Sequence, residues 1–501
     1  MNEPHGQTVN GVPMHDVPQR LAYPKRVFLI IGNEFCERFN FYGLRTILTI
    51  YLTDKLGYSA DDATVLYHVY IMLVYFMCIF GGILSDTWLG KFNTILYLSI
   101  VYSIGSVIVS VGAIPIGFSP KAALYIGLAL ISVGSGGIKP CVSAFGGDQF
   151  KLPEQAAQVA KYFSLFYFSI NAGSLVSTTL TPVLREDVHC FGETSCYSLA
   201  FGVPAVLMIL SILFFLIGKS SYTYVKTSSE NMIIKMFKCI CHAIVTKRRE
   251  GKRSPHKNLL DYSIDKYGAE LVGDIRTLKK ILILYLPLPL FWSLFDQQGS
   301  RWTLQAKHMN GDLGFYTIKA DQIQLMNPLM ILTFIPAFEA IVYPFLNKIG
   351  LGRPLQRLTI GGLLAGASFF LSALVEFWIE SSDEKSVNLL WQVPQYVVIT
   401  MGEVMFSVTG LSFSYDQAPE SMRSVVQAFW LLTVAFGNVI IVYISGMRFF
   451  ESQAFEFILF GSLMFLDMFL FAFIARSFKS STTNEAQQTM YLNNIEEKSS
   501  A

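Results

Sequence analysis

Apolar residues gather along this chain in blocks of about 20, the length an α-helix needs to cross the hydrocarbon core of a bilayer. Six blocks lie near residues 27–51, 65–85, 92–114, 122–138, 160–183 and 197–217. Six more lie near 281–298, 323–346, 358–379, 389–411, 425–446 and 455–475. The pattern predicts an all-α membrane protein with 12 transmembrane helices in two six-helix bundles. Residues 219–280 between the two sets are polar and basic, with Lys247-Arg248-Arg249 and Lys252-Arg253 in one short stretch. Basic loops stay on the cytoplasmic side, which predicts a cytoplasmic linker. Six spans per set then put both termini there too, in keeping with Arg20, Lys25 and Arg26 before the first block and Arg476 and Lys479 after the last. The opposite loops are acidic, at Glu186, Asp187, Glu380, Asp383 and Glu384. The predicted organisation is a cytoplasmic tail 1–26, a bundle 27–218, the linker 219–280, a second bundle 281–476 and a cytoplasmic tail 477–501, in a multi-pass protein of the cell membrane.

Composition changes this picture little: the 501 residues are 52% hydrophobic and only 15% charged, which excludes an ordinary soluble domain. A net charge of +2 gives no footprint for nucleic acid, so the bilayer is the expected partner. The chain carries no phosphate-cradling glycine loop and no dense metal-ligand spacing. A transporter driven by an ion gradient is expected, with no cofactor and no enzymatic activity. Of seven cysteines, Cys190 and Cys196 stand apart, because both fall in the short outward loop between spans five and six. On that oxidising side a disulfide is expected.

The chemistry lies in the charges inside the spans. Glu34, Glu37 and Arg38 share the first block, and each ion costs roughly 2.5–3.5 kcal/mol at the centre of a membrane helix. Three together imply a protein or water-filled interior on that side. Glu34 and Arg38 are at i and i+4 on one helical face with Glu37 a step round the turn, so a carboxylate can trade Arg38 between a neighbour and a ligand. Such a trio can take up and release a proton. The turn Gly81-Gly82-Ile83-Leu84-Ser85-Asp86-Thr87-Trp88-Leu89-Gly90-Lys91 resembles the loop signature of the major facilitator superfamily. That resemblance implies two pseudo-symmetric bundles rocking about a central site.

A narrower resemblance covers Arg26 to Arg476. Glu34, Glu37, Arg38, Phe39, Tyr42 and Gly43 match the E-x-x-E-R-F-x-Y-Y-G signature of the proton-coupled oligopeptide transporters, and Phe166 to Gly173 match their F-Y-x-x-I-N-x-G signature. Further matching blocks are Gly136 to Pro140, Phe145 to Phe150, Phe295 to Gly299, and Gly402-Glu403-Val404 running on to Ser414-Tyr415. The chain is similar to the animal intestinal-type members, and the resemblance implies symport of di- and tripeptides, and peptide-like drugs, with protons. In that reading Arg38, Arg45 and Lys139 take the peptide carboxylate, Glu403 takes the ammonium, and Asn171 and Asn327 hold backbone amides. Tyr42, Tyr75, Tyr167, Trp292 and Trp430 line side-chain pockets. His68 stands where animal members carry a histidine implicated in proton coupling, beside Glu34, Glu37 and Arg38. Lys280 and Glu339 stand in place of a gating Arg–Asp pair between spans seven and eight. Phe41 replaces the first tyrosine of the signature, and only a short acidic loop remains where animal members have a large extracellular domain between spans nine and ten. The expected unit is a monomer. A family member carrying another small solute, such as an anion or amino acid, and a non-transporting peptide sensor are the alternatives.

Overall fold

The computed structural model describes residues 21–115, 117, 119–151, 154–225, 231–250 and 258–478. The predicted tails before residue 21 and after residue 478, and Lys252-Arg253 of the linker, lie outside the described residues. A chain in lipid must satisfy its own backbone groups, and it does so here with helices. The first six are α1 (Val27–Ile50), α2 (Ala60–Thr87), α3 (Gly90–Gly112), α4 (Pro120–Gly147), α5 (Ala156–Glu186) and α6 (Tyr197–Ile217). The second six are α7 (Ala269–Tyr285 continued by Leu288–Lys307), α8 (Gln322–Lys348), α9 (Pro354–Glu380), α10 (Leu389–Gln417), α11 (Arg423–Met447) and α12 (Gln453–Ser477).

Among the described residues nine helices, and α7 as a bent pair, are long and apolar enough to cross a membrane. The remaining two are α1 and α5, whose length suffices but whose spans carry the polar residues of the site, among them Glu34, Glu37, Arg38 and Asn171. Local signals set the ends. Ser59 caps α2 by accepting the Asp62 N–H, Ser119 caps α4 ahead of Pro120, and Ser452 caps α12.

Three elements depart from the apolar blocks. The seventh span starts at Ala269 rather than near 281 and bends by 45° at Leu286–Pro287, where proline withholds a backbone donor. Inside the linker, Met232–Glu250 forms a helix that buries Met236, Cys239 and Ala243 and packs on the short turn Leu259–Ser263 ahead of α7, where the Ser263 hydroxyl donates to the Cys239 carbonyl at 2.8 Å. The fourth span likewise runs past residue 138 through Pro140 to Gly147.

Each half has its own apolar core, and Tyr75 touches both. In the first half α2 and α4 meet backbone to backbone: a Cβ on Gly81 would sit 2.1 Å from the Gly137 carbonyl oxygen, so only glycine fits there. Lys91 of the signature turn pairs with Asp148 at the end of α4 at 2.6 Å, and Asp86 accepts a bond from Asn231 ahead of the linker helix.

The halves are latched at the end that carries the α1–α2 turn. Arg185 holds Asp321 at 2.9 Å, Lys319 holds Asp187 at 3.0 Å, Arg301 holds Asp61 at 2.8 Å and Arg448 holds Asp62 at 2.6 Å. Lys307 with Asp54 and Arg45 with Asp296 complete the set.

Candidate functional site

Helical spacing on α1 does what the sequence predicts for its charged trio. Arg38 Nε donates to Glu34 Oε1 at 2.7 Å, and Glu37 Oε2 lies at the same distance as an ion contact. The Ser135 hydroxyl donates to the other Glu37 oxygen at 3.2 Å. All three charges are at most 4% exposed, so the cluster is closed upon itself in this state. Lys139 of α4 completes the wall. Its ammonium lies 4.7 Å from the Phe41 ring and 4.5 Å from the Tyr75 ring, near enough to Glu37, Glu34 and Arg38 to feel their charge. Phe41, the departure from the tyrosine signature, thus serves as a π-face for a cation.

Arg45 is engaged elsewhere. Its guanidinium bonds the Tyr67 hydroxyl and pairs with Asp296 of the second half at 2.8 Å, so it ties the halves together instead of joining Arg38 and Lys139. His68 belongs to the same network. Its Nδ1 donates to Asn438 Oδ1 at 2.6 Å, while Asn438 Nδ2 donates to Asp296 Oδ2 at 2.8 Å, which fixes the amide. On its other side His68 Nε2 lies 2.7 Å from the Ser300 hydroxyl. Histidine, asparagine, aspartate and arginine therefore form one buried chain across the interface of the halves.

In the second half Glu403 accepts a bond from Asn327 Nδ2 at 2.7 Å, and the same amide reaches Thr400. Among the described residues Glu403 makes no ion pair. Asn171 donates to the Tyr167 carbonyl of its own helix, and Tyr167 is half exposed. Trp292 and Trp430 pack edge to face at 6.1 Å and are largely buried, with Trp430 pressed against Gly410.

Lys280 and Glu339 are both exposed, and among the described residues no ion pair joins them. The expected gating bridge is not formed in this state. Lys280 is exposed on α7, whereas Glu339 lines a cavity of about 1230 Å³ with Arg353 and Arg357. Cys190 and Cys196 are joined by a disulfide with Cα atoms 5.2 Å apart.

Residue-type reasoning assigned no role to Asp296, Ser300, Asn438 or Tyr67. Asp296 carried a signal, as a lone carboxylate in an apolar span and a member of the Phe295–Gly299 block. The Asn438 and Tyr67 partnerships are long-range and leave no trace in spacing.

Among the described residues, twelve membrane-length helices in two halves, joined by ion pairs such as Arg185–Asp321, have the architecture of a major facilitator transporter. The family model PTR2, described as the POT family, matches residues 92–453, and the chain belongs to that family. The peptide transporter family 1 protein of Drosophila melanogaster is 39% identical over an alignment covering 93% of this chain and 89% of the relative. Solute carrier family 15 member 2 of Rattus norvegicus is 33% identical, with 93% and 92% covered. Among solved structures, an autoinhibited POT family peptide transporter superposes with a TM-score of 0.78 at 26% identity, covering 92% of this chain and 98% of that one. The POT family transporter PepTSo gives the same TM-score of 0.78 at 28% identity, covering 91% and 99%.

Proposed function

We propose that this chain is a proton-coupled symporter of di- and tripeptides, working by alternating access as a monomer in the cell membrane with both termini cytoplasmic. One observation carries the reading: the first half gathers two buried carboxylates, the buried Arg38 and the partly buried Lys139, while the second holds a partly buried Glu403 with an amide as its partner. A short zwitterion complements that arrangement. Its carboxylate suits Arg38 and Lys139, its ammonium suits Glu403, and Asn171 and Asn327 suit its backbone. A free amino acid is too short to reach both walls, and a tetrapeptide overfills the gap. Tyr42, Tyr75, Tyr167, Trp292 and Trp430 offer adaptable apolar surface, so discrimination by side chain is shallow.

Coupling follows from exchange at Arg38. A proton arriving on Glu37 weakens its hold on Arg38, the guanidinium turns to the peptide carboxylate, and departure of the peptide restores the pair. A charged His68 is compatible with its two partners, because Ser300 can turn its hydroxyl to accept while Asn438 Oδ1 already accepts. Arg45 and Asp296 act with His68 on the latch in this reading, so proton uptake and latch closure share one network. The latched end faces outward, and the state described is open or opening toward the cytoplasm. Lys280 and Glu339 would gate a different state of the cycle. The disulfide Cys190–Cys196 braces the outer loop beside Arg185 and Asp187.

The test is current recorded from oocytes expressing the chain, on adding glycylsarcosine at acidic and at neutral external pH. An inward current that grows at acidic pH supports the reading. Surface-expressed protein with no current, or with a pH-independent one, points to a sensor or a carrier of another solute.

A further inference from the structure

At the latched end the second half buries a carboxyl that peptide recognition does not use. Glu376 on α9 is 7% exposed and accepts a bond from Gln305 Nε2 of α7 at 2.7 Å. The orientation of Gln305 is fixed on both sides. Its Nε2 also donates to the Ser372 carbonyl at 3.0 Å, and its Oε1 accepts from Gln392 Nε2 at 2.8 Å and Gln395 Nε2 at 3.1 Å, both at the start of α10.

The charges facing Glu376 are Arg301 of α7 and Glu380 one turn along its own helix. Arg301 is already shared: it holds Glu456 of α12 at 2.6 Å and, across the halves, Asp61 of α2 at 2.8 Å. Glu380 accepts from the Ser452 hydroxyl. Arg448, the other guanidinium at this end, is taken up by Asp62 at 2.6 Å and Asp61 at 3.9 Å, which leaves Arg301 as the one guanidinium facing Glu376. An ionised carboxylate buried with a neutral amide for support costs several kcal/mol, whereas a protonated carboxyl does not carry that cost. Unpaired buried polar atoms lie in the same cluster, namely the side-chain oxygens of Gln392 and Gln395, the Trp302 indole N–H and the Tyr396 hydroxyl. They offer acceptors and donors to a carboxyl proton and to bridging water.

We propose that Glu376 is a proton-binding site, which holds its proton while Arg301 grips Asp61 and releases it when the halves part at this end. Parting removes Asp61 from Arg301, returns guanidinium charge to Glu376 and admits water, and each change favours the anion. The latched state then binds more protons than the parted state, so lowering the pH at this face stabilises the latch. Within the transport cycle, which rests on the proton-coupled reading above, outside acidity would drive closure toward the cytoplasm-facing state.

Two readouts on the purified full-length protein test this without peptide. Infrared difference spectroscopy should show a carbonyl-stretch band of a protonated buried carboxyl at neutral pH, lost in Glu376→Gln and retained in Glu456→Gln. Spin labels on the outer ends of α2 and α11 should report a latched population that grows on acidification in the wild type and responds less in Glu376→Gln. An unchanged band in Glu376→Gln, or an undiminished pH response, overturns the proposal. Should that variant fail to fold, Gln305→Leu should move the band to higher frequency by removing its hydrogen bond, and an unmoved band overturns the proposal equally. Because neither readout involves transport, a chain that failed to carry peptide could still pass both, and one that carried peptide could fail both.

Discussion

The two halves share a helical design and differ in how they hold charge. In the first, Glu34, Glu37 and Arg38 sit in one buried cluster with the partly buried Lys139 beside it, and Arg38 is in contact with both carboxylates. In the second, Glu403 is held by the Asn327 amide. The difference teaches where exchange is cheap. A cluster with internal counter-ions can swap partners while staying neutralised, whereas a carboxylate supported by an amide gains most from an incoming cation.

Substitutions can break this contrast at either side. The largest effect is expected from Arg38→Gln, which leaves Glu34 and Glu37 buried together without their shared cation. Loss of one partner of a buried pair costs about 3–5 kcal/mol, so thermal unfolding in detergent should drop sharply and transport should vanish. Adding Glu34→Gln should restore part of the stability without the transport. On the other side, Glu403→Gln keeps an oxygen for Asn327, so the fold should hold while peptide affinity, measured by calorimetry, weakens by roughly 2 kcal/mol or more. If both variants lowered stability equally, the contrast between the halves would be wrong.

The latches sharpen the comparison, because they set how often the two walls face each other. Asp321 is fully buried against Arg185, with contacts at 2.9 and 3.1 Å. Asp321→Asn should shift the population toward parting at the latched end by about 1.5–3 kcal/mol, the worth of a hydrogen bond to a charged group, read as faster labelling of cysteines placed there. The Lys319–Asp187 pair should matter least. Asp187 is half exposed, so Asp187→Asn should change stability by about 0–1 kcal/mol. Burial pulls the Lys319 ammonium down, but its bond to Asp187 and the nearby Tyr316 and Glu186 outweigh that and leave it raised. A raised lysine keeps its contribution everywhere below the ordinary lysine range and loses it only as pH rises through the raised value. The acid side of the transport profile should therefore be identical in Asp187→Asn.

Much of this was legible in the residues. Block length gave the count of spans, because lipid leaves the backbone few options, and i, i+4 spacing gave the Glu34–Arg38 pair. Asn327 and Glu403 were each legible as polar groups suited to a peptide, but their 2.7 Å bond to one another, between residues 76 apart, was not. Span ends were less legible, since helices such as α4 and the start of α7 continue past their apolar stretch. The latches were not legible at all: Arg185 with Asp321 and Arg301 with Asp61 join residues far apart in sequence, and pairing at such range depends on how the halves dock. Arg45 shows the same limit, since residue type suits it to a carboxylate of either a peptide or Asp296, and docking decides.

The most direct measurement of opposed clamps is uptake of a neutral dipeptide against its N-acetylated form, in the wild type and in Glu403→Gln. The account predicts that the wild type strongly favours the free amine and that the variant loses most of this preference. A wild type that takes both forms equally, or a variant that still discriminates as the wild type does, would contradict it.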